Sequence, residues 1–349
     1  MNSSFLSSTK FAVLLILCLQ NTIYTVLRRY SQGYLYEEYS KYEVLLAAEL
    51  LKFIFSLFKV SDSLQPEQHM LPRVRELMRS SSKMFFLALM YGAMNILSFV
   101  ALRNLDAGTF TIFAQLKILT TATFSTILLD RKYTNTRWRA LIELVLGALL
   151  FSSHIFSENY TSKSDGIYPL LGVVAVITEV TASGFASIYF EKVIKNSQDN
   201  LNIWERNLQL AFTSTPIYLS FILYNGGGDI GYGRGWSITT VFLSILGAAG
   251  GMLVALSIKY ADAVMKTLAT TGAIVLSSIL DHFVLDGPLN PVMLLAGGVV
   301  ILAICNYTFD QTSESPSIQK NLIGSLTKPL TQEEYNAGDK STVSIYNRL

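Results

Sequence analysis

Met84-Phe85-Phe86-Leu87-Ala88-Leu89-Met90 opens a run with no charged residue before Arg103. A helix that crosses the hydrocarbon core needs about 20 predominantly apolar residues, and residues 84–103 supply them. A second apolar run, 107–129, follows after Arg103-Asn104-Leu105-Asp106 alone. Residues 84–129 are too long for one crossing, so the chain is expected to reverse at that tetrapeptide. Working outward on the same criterion gives ten spans: roughly 11–28, 42–60, 84–103, 107–129, 138–156, 167–190, 204–224, 237–259, 263–285 and 288–309. The expected fold class is therefore an all-α integral membrane protein with ten transmembrane helices.

Composition agrees. Of 349 residues, 51% are apolar and 15% charged, with mean hydropathy +0.39. A soluble domain carries about 25% charged residues, and the deficit follows if most side chains face lipid. The formal net charge of +2 selects no partner, and Lys and Arg fall between apolar runs instead of forming a basic face, which excludes nucleic acid. The bilayer is the expected partner, with a homo-oligomer left open. Cys18 and Cys305 lie in apolar runs near opposite ends, and His69, His154 and His282 are far apart, so no metal or redox motif appears and no cofactor is expected. Lys10 before an apolar run resembles a signal peptide, but Arg28, Arg29 and Tyr30 follow where a cleavage site would stand. The run reads as a retained first span.

Loop cations give the orientation. Lys59, Arg73, Arg75, Arg79 and Lys83 follow span two; Arg131, Lys132, Arg137 and Arg139 follow span four; Lys192 and Lys195 follow span six. All lie on one side, expected to be cytosolic, and both termini share it. Asn159-Tyr160-Thr161, a glycosylation sequon, falls on the opposite side. Residues 311–349, rich in Ser, Thr, Gln and Asn, are expected to be a disordered cytosolic tail, leaving 1–310 as the ten-helix membrane domain.

Shifting the chain by 156 positions brings Asp106-Ala107 onto Asp262-Ala263, Arg103 onto Lys259, Thr111 onto Thr267, Ile118 onto Ile274, and Leu129-Asp130 onto Leu285-Asp286. Matching spans then differ by five, an odd number, so two halves (about 10–156 and 167–310) would be inverted relative to each other. Inverted repeats are a transporter architecture with the substrate site near the midplane. The bland reading is that any apolar bundle aligns with itself.

A charge at mid-bilayer costs roughly 2.5–3.5 kcal/mol on insertion scales and needs a reason. Lys117, central in Ala114-Gln115-Leu116-Lys117-Ile118-Leu119-Thr120, reads as an anion site facing a wet cavity or as half of an ion pair with another helix. Lys266 opens span nine and, taken alone, is more simply a positive-inside cation. In the repeat register it falls opposite Phe110, two helical turns before Lys117, so the lysines could clamp a phosphate or diphosphate as point charges. Glu49 and Lys52 share a helix face in span two and can pair structurally or gate. Glu179, central in span six, lacks a local partner. Asn95, Asn207 and Gln209 could bind a nucleobase or sugar, or satisfy backbone. Gly226, Gly228 and Gly231 match G-x-G-x-x-G, but no strand precedes them, so no dinucleotide site is expected.

Several segments in this order resemble the nucleotide-sugar transporter family of the drug/metabolite transporter superfamily. They are Leu19-Gln20-Asn21 with Arg29-Tyr30-Ser31, Ala48-Glu49-Leu50-Leu51-Lys52, Asn104-Leu105-Asp106-Ala107, Gln115-Leu116-Lys117-Ile118-Leu119-Thr120-Thr121-Ala122, Ser183-Gly184-Phe185-Ala186, Phe190-Glu191-Lys192, Arg206-Asn207-Leu208-Gln209 and Lys259-Tyr260-Ala261-Asp262 with Lys266. The resemblance covers the chain to about residue 310. It implies no enzyme but an alternating-access antiporter of a Golgi (or ER) membrane, exchanging cytosolic nucleotide-sugar for lumenal nucleoside monophosphate. It implies phosphate contacts at Lys117 and Lys266, a nucleotide pocket lined by Asn95, Phe110, Ser183, Gly184 and Asn207, and Glu49 and Lys52 near the cavity.

Lys117-Ile118-Leu119-Thr120-Thr121-Ala122 and Lys259-Tyr260-Ala261-Asp262 lean toward UDP-galactose and UDP-N-acetylglucosamine carriers. The alternatives are a CMP-sialic acid/CMP exchanger or another anion carrier of the superfamily. Departures from the family pattern surround the implied pocket: Phe110 for a common Tyr, Ile96 for a second Asn, Ala263-Val264 for Asn-Ile, Thr267-Leu268 for Gly-Phe, and Glu179 for a small apolar residue.

Overall fold

A computed structural model describes residues 3–64, 69–105, 107–152, 168–195, 201–224 and 232–310. Asn159, the glycines at 226, 228 and 231, and the expected tail at 311–349 lie outside the described residues. Residues 1–308 group as one unit and 309–349 as a second.

Twelve α-helices are described: α1 (Ser3–Arg29), α2 (Lys41–Asp62), α3 (Met70–Arg79), α4 (Ser82–Asn104), α5 (Ala107–Gln115), α6 (Lys117–Leu128), α7 (Asn135–Phe151), α8 (Pro169–Ile194), α9 (Ile203–Tyr224), α10 (Ile238–Tyr260), α11 (Ala263–Leu285) and α12 (Pro291–Thr308), with a π-turn over Tyr30–Tyr34. No strand occurs among the described residues. Seven segments are long and apolar enough to cross a membrane: Ser8–Tyr34, Ser82–Asn104, Thr109–Leu128, Leu170–Ile194, Ile238–Tyr260, Ala263–Leu285 and Pro291–Thr308. The other three expected spans are also helical. α7 is only 17 residues long, while α2 and α9 carry buried charged residues that lower their hydropathy.

The solvent of this fold can be read from its surface. Phe11, Ile54, Ile127 and Leu295 are exposed on their helices, whereas Gln20, Lys52, Glu191, Glu205, Arg206, Asn207 and Gln209 are buried. Water would favour the opposite arrangement. A polar interior inside an apolar shell is stable where lipid surrounds the chain, and closed helices leave no backbone group unsatisfied there.

Caps set the helix boundaries. Asp262 accepts from Met265 N at 2.7 Å to start α11, Ser237 and Thr240 form a capping box for α10, and Thr134 caps α7. Asp130 and Asp286 stop α6 and α11 with left-handed backbone, φ 51° and 52°, a conformation that Asp tolerates better than most residues. Pro169 and Pro291 stand in first turns, where the missing N–H costs nothing.

Two departures from expectation stand out. The loop after span two holds α3, a basic amphipathic helix, whose 3.6-residue period is hidden by Pro72 and the flanking polar residues. Span four is not one regular helix. At Leu116 the N–H bonds to Phe113 O at 3.0 Å, a tightened i−3 spacing that separates α5 from α6. The distortion stands immediately before Lys117.

Boundaries in the two halves share one register. Ser82 and Ile238 start α4 and α10, Asn104 and Tyr260 end them, Ala107 and Ala263 start α5 and α11, and Asn135 and Pro291 start α7 and α12; each pair lies 156 positions apart. Asp130 and Asp286, the two left-handed aspartates, are separated by the same interval. Packing has the same exchange: α1 on α11 matches α8 on α6, α1 on α10 matches α8 on α4, and α2 on α10 matches α9 on α4, while α2 packs on α9 and α7 on α12.

Ionic contacts sort the ends into two groups. At one end Arg131 reaches Glu191 and Asp262, and Arg73 reaches Glu205. At the other, Arg29 pairs with Asp281, and Trp236 Nε1 donates to Glu43 at 2.9 Å. Residues that the loop-cation reading put on one side therefore meet on one side.

Candidate functional site

The interior is built around the crossing of α6 and α8. Gly184 faces Thr120 so closely that a Cβ on it would lie 2.6 Å from Thr120 Oγ1 and 2.8 Å from its backbone carbon. Thr120 Oγ1 donates to Val180 O at 3.1 Å, tying the two helices. Gly184 thus acts by letting two backbones approach, as small residues do between membrane helices. One turn from this crossing stand Lys117 on α6 and Glu179 on α8.

Lys117 and Lys266 come within electrostatic reach of each other, and Glu179 lies within reach of Lys117. Both lysines are half-buried, and neither makes a direct ion pair among the described residues. Ser98 of α4 stands beside Glu179, one of whose oxygens is buried without a partner.

A second polar group lies between α2, α4 and α9. Lys52 Nζ donates to Glu49 at 2.8 Å, and Gly251 leaves room for the lysine, its Cβ position falling 3.3 Å from Lys52 Cδ. Tyr91 and Tyr218 lie within electrostatic reach of Glu49, and Asn95 stands beside Tyr218. Asn95 also lines a cavity of about 320 Å³ with Tyr24, Arg28, Gln32, Tyr39 and Lys41. Asn207 is 1% exposed, and neither amide atom has a partner. Leaving such a group unpaired costs about 1–3 kcal/mol, a cost that a bound polar ligand would remove.

The structure thus brings Lys117 and Lys266 together, and separately Glu49, Lys52 and Asn95. Phe110 instead packs against Ala101, Ala175, Val176 and Val180. Ser183 is half-buried beside Gly184. Gln209 satisfies backbone, donating to Leu77 O at 2.8 Å.

Sequence reasoning missed the ties that close one end. Glu191, fully buried, accepts from Arg131, from Lys195 Nζ at 2.6 Å and from Ala263 N at 3.0 Å. Burial lowers the Arg131 guanidinium, but Asp262 and Glu191 more than offset this and hold it above its ordinary range, so it stays charged at any working pH. The sequence signal was present in Phe190-Glu191-Lys192, an acid at the end of an apolar span. Arg73 similarly donates to Glu205 at 2.6 Å, and Glu205 accepts from Asn202 N.

Comparison with known proteins bears on this interior. The family model described as nucleotide-sugar transporter matches residues 6–308. The UDP-galactose/UDP-N-acetylglucosamine transporter srf-3 of Caenorhabditis elegans is 36% identical over 313 residues, 87% of this chain and 83% of that protein. The human UDP-N-acetylglucosamine transporter is 33% identical over 316 residues (87% and 96%). The Schizosaccharomyces pombe UDP-galactose transporter is 30% identical over 319 residues (88% and 90%). A solved crystal structure, 12% identical, superposes with a TM-score of 0.65 over 88% of this chain and 98% of its own, which speaks to the fold alone.

Proposed function

Because the chain belongs to the nucleotide-sugar transporter family, we propose that it carries a UDP-sugar, UDP-galactose or UDP-N-acetylglucosamine, into the Golgi lumen in exchange for UMP. The relatives' substrates favour the UDP-sugar over a CMP-sugar. One observation carries the mechanism: two interior ammonium groups, Lys117 and Lys266, lie within electrostatic reach of each other with no carboxylate in direct contact among the described residues. Two cations within such reach repel one another. A diphosphate between them would turn that repulsion into attraction, and UMP would use the same contacts through its single phosphate.

Around that clamp the reading places Asn95, Asn207 and Ser183 as polar contacts to the nucleoside, with Phe110 and Gly184 shaping the wall. Glu49 and Lys52 stand beside the cavity. The ten helices would be two inverted halves rocking about the midplane, supported by the shared 156-residue register of boundaries and by the exchange in packing. The end closed by Arg131 and Glu191 would face the cytosol together with both chain termini, as the loop cations require.

Purified protein in liposomes preloaded with UMP should take up labelled UDP-galactose or UDP-N-acetylglucosamine faster than in empty liposomes. Equal uptake would remove the exchange step. Stimulation by CMP alone would move the protein to the CMP-sialic acid reading, and uptake of sugar phosphates without nucleotide competition would make it a different anion carrier.

A further inference from the structure

Glu179 is a carboxylate in the middle of an otherwise apolar stretch of α8, and the structure puts it next to the proposed phosphate clamp. The close crossing at Gly184 and Thr120 brings α8 against α6. One turn away, Glu179 lies within electrostatic reach of Lys117 but not in direct contact, with Ser98 of α4 beside it and one oxygen buried and unpartnered. We propose that Glu179 is the resident counter-anion of the clamp, ionised in the empty carrier and taking up one proton from water when a nucleotide-sugar binds.

The argument is charge balance in a low-dielectric interior. Empty, the cluster holds two ammonium groups and one carboxylate. A bound diphosphate brings two further negative charges, leaving an excess of anion unless Glu179 becomes neutral. The charged groups facing Glu179 are few. α6 presents Lys117, and beyond it α11 presents Lys266. α4 presents Ser98, with Tyr91 two turns before it and Lys83 and Arg103 in its first and last turns; α5 carries no ionisable side chain; α10 bears only Lys259 and Tyr260, in its last turns. Neutral Glu179 would keep its proton and donate a hydrogen bond to the phosphate. Transport would carry one proton with each nucleotide-sugar.

This inference rests on the proposed function, and the experiment separates the two. The probe is UDP-N-acetylglucosamine, whose diphosphate does not titrate near neutrality, so the pH profile of its affinity for the purified full-length protein reports on the protein alone. Wild-type affinity should rise as pH falls, by up to about tenfold per pH unit through the titration of one group. Glu179→Gln should bind with a flat profile, at every pH near the wild-type low-pH affinity. Retention of the slope in Glu179→Gln would assign it to the lysines and overturn the proposal, as would a flat wild-type profile. No binding by wild type at any pH would sink the UDP-sugar reading instead. Should Glu179→Gln fail to fold, Ser98→Ala serves. A shifted midpoint with the slope intact supports Glu179 as the titrating group, and an unmoved midpoint rejects it.

Discussion

Gly184 of α8 and Thr120 of α6 meet with no room for a methyl group, a Cβ on the glycine falling 2.8 Å from the threonine's backbone carbon. Backbone cannot yield as a side-chain tip can. Gly184→Ala should force the helices apart, at about 1–3 kcal/mol for an overpacked contact, and pull Lys117 and Glu179 out of register. The expected result is a melting temperature several degrees lower for the purified protein, together with weaker nucleotide binding. Unchanged melting would mean that the crossing is looser than described. Weaker binding with unchanged melting would return Gly184 to the pocket wall.

Lys117→Ala and Lys266→Ala should each leave a folded protein, because neither lysine holds a direct ion pair that its loss would break. Removing a charged hydrogen-bond donor from a buried phosphate costs about 1.5–3 kcal/mol, so affinity for UDP-N-acetylglucosamine should fall roughly 10- to 100-fold in each, measured by thermal shift or titration calorimetry. Lys117→Arg should recover less than the retained charge suggests, since a planar fork does not replace a point charge in a fixed space. Normal affinity in Lys117→Ala would remove that residue from the site.

Glu49 and Lys52 behave differently, being direct partners at 2.8 Å with Lys52 only 5% exposed. Glu49→Ala should strand a buried ammonium group and destabilise the protein by about 3–5 kcal/mol. The paired change Glu49→Leu with Lys52→Met should restore most of the melting temperature, because replacing a whole buried pair by apolar groups is often neutral. Exchange activity then decides the role. Full transport by the double variant makes the pair a strut, and lost transport in a stable double variant puts it in the translocation path.

The sequence carried the spans well and the site unevenly, for physical reasons. Lipid imposes length and apolarity, so runs such as 84–103 are legible without a partner. The 156-residue register at Asp130 and Asp286 was visible as letters, but only the backbone shows both at left-handed φ. Lys117 stood out because a lone cation in hydrocarbon is costly. Its neighbour Glu179 stood out equally, yet the approach of the two depends on a helix crossing set by Gly184 and Thr120, which no local pattern encodes. α3 and the break at Leu116 were hidden for the same reason: a short amphipathic turn and a single i−3 bond leave little mark on hydropathy. Gln209 shows the converse, a polar residue that looked available for ligand and is occupied by Leu77 O.

The two ends of the bundle are each held by an arginine–carboxylate contact between corresponding helix pairs. Arg29 of α1 pairs with Asp281 of α11, and Arg131, just past α6, pairs with Glu191 of α8. Both acids are buried, and both arginines are partly exposed. Alternating access requires one end to part while the other stays shut, so removing one clasp should bias the carrier toward opening at that end. Arg29→Ala and Arg131→Ala should therefore shift the conformational equilibrium in opposite directions. Single cysteines introduced near each end in a cysteine-free background would report this, with labelling rising at the Arg29 end in one variant and at the Arg131 end in the other. A shift in the same direction for both, or none, would mean that the clasps brace the fold and take no part in opening. A stability loss is expected in Arg29→Ala, which strands Asp281, and a smaller one in Arg131→Ala, where Lys195 and the Ala263 N–H still pair Glu191; the opposite sign of the labelling change separates gating from bracing.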